Sequence, residues 1–157
     1  LQSPKDLVCR LLLEKKKSDD VMALWSGLGY YSRARNLHRC AQQVMALHGG
    51  VFPATAVVLQ TLPGIGRSTA GAIAAFCFSE RVPILDANVR RVLTRFIGFG
   101  ADLAVAANER ALWQCATDLL PHSHLPQSMP RYTQGLMDLG AMVCLARKPL
   151  CAQCPVQ

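Results

Sequence analysis

The stretch Leu62-Pro63-Gly64-Ile65-Gly66-Arg67-Ser68-Thr69 constrains this chain more than any other. Pro63, Gly64 and Gly66 end one helix and turn the chain tightly, and Arg67-Ser68-Thr69 opens a second, whose Ala- and Gly-rich body up to Phe76 permits close packing. Free N–H groups gather at that helix N-terminus, where the dipole also favours an anion. Leu62, Gly64, Gly66 and Arg67 can therefore frame a phosphate site. The same residues also suit an ordinary αα-hairpin whose glycines merely turn the chain.

Helical periodicity fills the rest. Ser18 precedes an acidic first turn and a stripe of Val21, Leu24, Trp25 and Leu28, stopped by Gly27 and Gly29. Ser32 opens a helix with Ala34, Leu37, Ala41, Val44 and Met45 or Leu47 on one face, ended by Gly49-Gly50. Shorter helical patterns follow over 55–61, 67–78 and from Asp86, where Val89, Val92, Leu93, Phe96 and Ile97 form a stripe, and then over 104–119 and 130–143. Val82 to Leu85 reads as an extended connection. With no competing strand signal, the expectation is an all-α helical bundle, and 157 residues with 51% hydrophobic content suffice for one core.

The net charge of +7 and pI near 9.3 suit a polyanionic partner such as nucleic acid. No apolar run approaches the roughly 20 residues of a spanning helix, so no membrane crossing is expected and the chain reads as soluble. The first residues carry their charge after their apolar segment, opposite to a secretory signal, and there is no initiator Met, so a piece of a longer protein is expected. Seven cysteines, an odd number, argue against a complete disulfide framework. Cys9, Cys40, Cys77 and Cys115 are scattered in apolar or helical surroundings and read as packing residues.

Two further features carry chemistry. Asp86, at the start of a helix, can be an N-cap; held ionised near a cationic groove, it can equally stabilise the positive charge that develops on a sugar when a glycosidic bond breaks. Cys144, Cys151 and Cys154, spaced with six and two intervening residues, read as thiolate ligands of an iron–sulfur cluster or a metal, zinc being the generic alternative.

Taken together, the segments at 24–44, 52–76, 83–93 and 134–157 resemble, in order, the endonuclease III superfamily of DNA glycosylases, and within it the MutY-type adenine glycosylases. The resemblance implies a helical bundle with a helix-hairpin-helix motif at Leu62 to Gly66 and a C-terminal 4Fe-4S loop. It implies a catalytic aspartate at Asp86 with Asn88 beside it, and a monofunctional enzyme, because Ser68 stands where a lysine would form a Schiff base and add strand cleavage. It places Tyr30 as a wedge into the duplex, and makes Arg33 and Arg35 backbone contacts; Tyr31 could equally be core. The implied substrate is double-stranded DNA holding adenine opposite 8-oxoguanine or guanine, acted on by a monomer in the bacterial cytoplasm or nucleoid, or in a eukaryotic nucleus or mitochondrion. The alternatives are an endonuclease III-like glycosylase/lyase and a non-catalytic DNA-binding module.

The pattern departs from that family at both ends. The S-E-x-M-L-Q-Q-T motif that carries the family's acid glutamate is not found, Glu14 does not match it, and the fourth cluster cysteine and the domain that reads 8-oxoguanine are missing. The expected organisation is an unassigned segment at 1–17, a glycosylase catalytic region at 18–143 and an incomplete iron–sulfur loop at 144–157. Activity is expected to be impaired for want of the acid.

Overall fold

The computed structural model describes residues 17–157; the expectations that fall on residues 1–16, Cys9 and Glu14 included, lie outside the described residues. All regular structure among the described residues is helical, as expected. The chain divides into two compact units, the first ending at Gly66 and the second starting at Arg67.

In the first unit, α1 (Ser18–Leu24) packs on α2 (Tyr31–His48), and α3 (Ala56–Leu59) leads into the hairpin. Helix α1 starts at Ser18 instead of after it: Lys17 is the N-cap, and its N–H donates to the Asp20 carboxylate at 3.2 Å. The helix stops at Leu24, so the predicted stripe is cut short. Val21 is buried, whereas Leu24 and Leu28 are 72% and 67% exposed. In α2 the buried line is Ala34, His38, Ala41 and Val44, with Cys40 beside it, while Leu37, Met45 and Leu47 turn towards solvent. The burial stripe thus runs beside the one that the large aliphatics suggested, because the small alanines allow close approach.

Thr55 caps α3 by accepting from the Val58 N–H, and Leu59 and Leu62 are buried below it. Gly64 is fixed on two counts. Its φ is +79°, and a Cβ there would stand 2.7 Å from the Cβ of Asn36 on α2. Only glycine meets both demands without movement.

The second unit holds α4 (Arg67–Phe78), α5 (Ala87–Phe96), α6 (Ala106–Asp118) and α7 (Leu125–Asp138). Helix α7 packs against both α4 and α5. The main core gathers Ile84 and Leu85 from the extended connection, Val89 and Leu93 from α5, and Leu112, Trp113 and Ala116 from α6. A smaller cluster joins Ala75, Leu120 and Met129 with Leu125 and Tyr132. Phe96, expected on the α5 stripe, is half exposed, while Val89, Val92 and Leu93 are buried as read. Arg81 ties down the end of α6 by donating to the carbonyls of Thr117, Leu120 and Pro121.

Helix α7 begins five residues earlier than the sequence suggested, at Leu125 instead of Pro130. Pro126 lies in its first turn, where a missing N–H has no intrahelical partner to lose, and Pro130 is carried inside the helix at the cost of one bond. After Asp138 the helix widens into a π-helical turn at Leu139–Val143, and Cys151–Gln153 forms a short 3₁₀ turn.

Candidate active site

In the first unit, Tyr30 is displayed by a strained turn. Trp25 donates its indole N–H to the Gly29 carbonyl at 2.8 Å, which fixes the loop leaving α1. Tyr30 then takes a left-handed conformation at φ 48° as the N-cap residue of α2 and leaves its side chain 73% exposed. A large aromatic in that region is held at a cost of order 1–3 kcal/mol, and such outliers concentrate at functional sites. The Arg33 guanidinium lies 4.8 Å from the Tyr30 ring centroid and supports it. Arg33, Arg35 and Arg39 are all exposed on α2. Tyr31 is exposed too, and the core alternative for it does not hold.

Two of the residues expected at the hairpin have partners within the protein. Leu62 is only 3% exposed, and its carbonyl accepts from the Ile65 N–H, so it seats the hairpin and presents no side chain to a ligand. The exposed Arg67 guanidinium stacks over Trp113 at 3.8 Å from the ring centroid. Gly64 and Gly66 remain exposed.

The second unit brings Ser68, Asp86 and Asn88 into one arrangement. Asp86 is the N-cap of α5: its Oδ1 accepts from the N–H groups of Asn88 at 2.7 Å and Val89 at 3.0 Å. Both bonds fall on the same oxygen. Oδ2 accepts no hydrogen bond among the described residues and faces a neighbourhood that is not sealed, since Asp86 is only partly buried. The structural and the catalytic readings of this carboxylate are therefore compatible. Ser68 Oγ accepts from the Leu85 N–H at 3.0 Å, one residue before Asp86.

Asn88 leads on to the cysteines through Arg91. Arg91 donates to Asn88 Oδ1 at 2.9 Å, to the Gly140 carbonyl at 2.6 Å and to the Cys144 carbonyl at 2.7 Å. Arg95, one turn further along α5, donates to Cys144 Sγ at 3.3 Å and to the Leu145 carbonyl at 2.8 Å. Sequence reading passed over both arginines. Their only local signal was position: Asn88, Arg91 and Arg95 follow one another at helical spacing along a single face.

Cys144, Cys151 and Cys154 line one cavity of about 300 Å³, walled by Val92, Phe96, Leu139, Val143 and Pro149. Among the described residues no three Cys, His, Asp or Glu side chains close around a point where a single metal ion would sit. Thiols arranged around a cavity with apolar walls suit a multi-iron cluster better than one tetrahedral zinc. Of the scattered cysteines, Cys40 is buried as expected, Cys115 is partly buried and Cys77 is exposed.

A helical chain with a glycine hairpin, an aspartate capping the second helix after it and a terminal cysteine loop defines a class of base-excision repair protein. Residues 12–116 match the pattern of the HhH-GPD superfamily base excision DNA repair proteins, and residues 144–157 that of the iron-sulfur binding domain of endonuclease III. The chain belongs to the HhH-GPD superfamily.

Among curated proteins it is 41% identical over 145 residues to the adenine DNA glycosylase of Buchnera aphidicola subsp. Acyrthosiphon pisum, covering 92% of this chain and 40% of that one. The human adenine DNA glycosylase is 44% identical over 140 residues, 88% of this chain and 25% of that protein. The Mycobacterium tuberculosis adenine DNA glycosylase is 42% identical over 137 residues, with shares of 87% and 44%. The chain thus spans less than half the length of these relatives. Among solved structures, a thermostable thymine-DNA glycosylase superposes with a TM-score of 0.79 at 30% identity, over 94% of this chain and 66% of that one. A trapped endonuclease III–DNA covalent intermediate superposes at 0.66 and 23% identity, over 95% and 71%, a likeness of fold. No helix among the described residues is long and apolar enough to cross a membrane.

Proposed function

We propose that this chain is the catalytic region of a monofunctional adenine DNA glycosylase acting on adenine opposite 8-oxoguanine or guanine in duplex DNA. The observation that carries the reading is Asp86, whose Oδ1 caps α5 while Oδ2 accepts no hydrogen bond among the described residues. The likeness to proteins named adenine DNA glycosylases supports adenine as the base released, and the opposite base is taken from the family resemblance of the sequence.

Adenine must leave the stack to be reached, and unstacking costs a few kcal/mol. Tyr30 provides an exposed aromatic wedge beside the lesion, and Arg33 and Arg35 neutralise phosphates near it. As the N-glycosidic bond breaks, positive charge spreads over the sugar ring, and the Asp86 carboxylate stabilises it before water attacks. Asn88 lines the same site. Ser68 has no amine with which to form a Schiff base, so the reaction ends at base release.

An iron–sulfur cluster, when bound through Cys144, Cys151 and Cys154, supplies a covalent cross-link that rigidifies the C-terminal loop. No residue assigned to the site is an acid that could protonate the leaving base. The chain is therefore expected to release adenine about 10²–10⁴-fold more slowly than a version carrying the S-E-x-M-L-Q-Q-T motif.

Single-turnover release of adenine from an A:8-oxoguanine duplex tests the reading, comparing this chain, Asp86→Asn and the version restored with that motif. Release that falls in Asp86→Asn supports it. Equal release from chain and variant, or a borohydride-trapped covalent adduct, refutes it in favour of a DNA-binding module or a lyase respectively.

A further inference from the structure

Helix α4 presents Ser68, Gly71, Ala72 and Ala75 on one face, at the spacing of successive turns. The extended segment Pro83–Leu85 lies flush on that face. A Cβ at position 71 would stand 2.5 Å from the Pro83 carbonyl oxygen and 3.3 Å from Ile84 Cγ2, so backbone meets backbone there. One turn earlier, Ser68 Oγ accepts the Leu85 N–H at 3.0 Å. Ile84 and Leu85 are each 4% exposed, and Ala72 packs on the cluster that they belong to. The segment therefore has no solvent to replace a lost partner.

Asp86 comes next. Its carboxylate is oriented by the Asn88 and Val89 amides in front, and the backbone leading into it is held at the Ile84–Leu85 peptide, whose N–H donates to Ser68 Oγ. We infer that Ser68 is a positioning residue for Asp86: by accepting the Leu85 amide it anchors the Ile84–Leu85 peptide, one residue before the backbone that carries the carboxylate. This rests on the proposed role of Asp86 in base release.

The residue type fits the task. A serine oxygen is two bonds from Cα, short enough to meet a backbone amide pressed against the helix. Alanine offers no acceptor, which leaves a buried N–H unpaired. Threonine keeps the acceptor. Gly71 supports the same contact, because any side chain there pushes Pro83 away from α4.

The test uses the full chain, labelled with ¹⁵N, as wild type, Ser68→Ala, Ser68→Thr and Asp86→Asn. Hydrogen exchange of the Leu85 amide is measured beside single-turnover adenine release and duplex affinity. In Ser68→Ala, Leu85 exchange is expected to accelerate about tenfold, the equivalent of one hydrogen bond. The release rate constant should fall by a similar factor with duplex affinity unchanged, and Ser68→Thr should recover both. Unaltered Leu85 exchange in Ser68→Ala overturns the inference, as does faster exchange with release unchanged while Asp86→Asn abolishes release. If Asp86→Asn releases adenine like wild type, the catalytic reading itself fails, and the positioning role falls with it.

Discussion

The guanidinium of Arg67 lies 3.8 Å from the ring centroid of Trp113, and this contact gives an exposed arginine a partner within the protein. A cation over an indole contributes about 0.5–2 kcal/mol, the upper end when water is excluded. Arg67→Ala should therefore lower stability within that range, measured by urea unfolding. The slope of log K against log salt for duplex binding should stay within experimental error, because no phosphate contact is removed. Arg33→Ala should instead reduce that slope by about one.

Asp86 allows its two roles to be pulled apart. Asparagine is as good an N-cap as aspartate, so Asp86→Asn should change stability by less than about 0.5 kcal/mol while adenine release falls about 10²–10³-fold for loss of the charge. Asp86→Ala should lose release and a further 0.5–2 kcal/mol or so of stability. Thermal unfolding of the two variants beside their release kinetics checks the separation.

Arg91 holds three acceptors that have no evident replacement. Arg91→Met keeps the length of the side chain and removes every donor, leaving Asn88, Gly140 and Cys144 without that partner. A loss of about 2–4 kcal/mol is expected from hydrogen bonds to a charged group. Because one of those bonds fixes the backbone of Cys144, the variant should also retain less iron per chain after purification. A colorimetric iron assay on protein matched for folding by circular dichroism measures this.

Tyr132 should shape the alkaline limb of stability. Burial against Ala75, Leu120 and Met129 pushes its phenol above the ordinary value of 10.0. The fold favours the neutral form, so its contribution is fully present below pH 10 or so and is lost as pH rises through the raised folded value, where the unfolded chain ionises first. Tyr132→Phe should flatten that loss, followed by denaturant midpoints between pH 8 and 11 or so, and should remove the latest phase of the absorbance titration of tyrosinate.

The parts of the site that were legible in sequence are those written in adjacent residues. Gly64 could be read as a turn because its backbone demands glycine, and Asp86 because a carboxylate before a helical stripe announces a cap. The cysteines were visible because their spacing has few other uses. The arginines were not, because each makes its contacts across the fold: Arg67 with Trp113, Arg91 with Gly140 and Cys144, Arg81 with the end of α6. A basic side chain looks the same in sequence whether it meets solvent, a ring or a carbonyl. The start of α7 was missed because Pro126 and Pro130 signal breaks, although the first is harmless in an opening turn and the second is outweighed by the burial of Met129 and Thr133. In α2 the large aliphatics misled, since the burial line runs through Ala34 and Ala41 while Leu37, Met45 and Leu47 face solvent.

The left-handed turn at Tyr30 sets two kinds of selection against each other. Asparagine tolerates that backbone conformation more easily than a bulky aromatic, so a screen for heat resistance would favour Tyr30→Asn, with a gain on the order of 1 kcal/mol. A screen for repair would reject the same change, since it removes the exposed ring beside Arg33. On the wedge role proposed for it, tyrosine at this position is then a marker of what a lineage has been selected for: once that role is released, it should be among the first residues of the fold to drift.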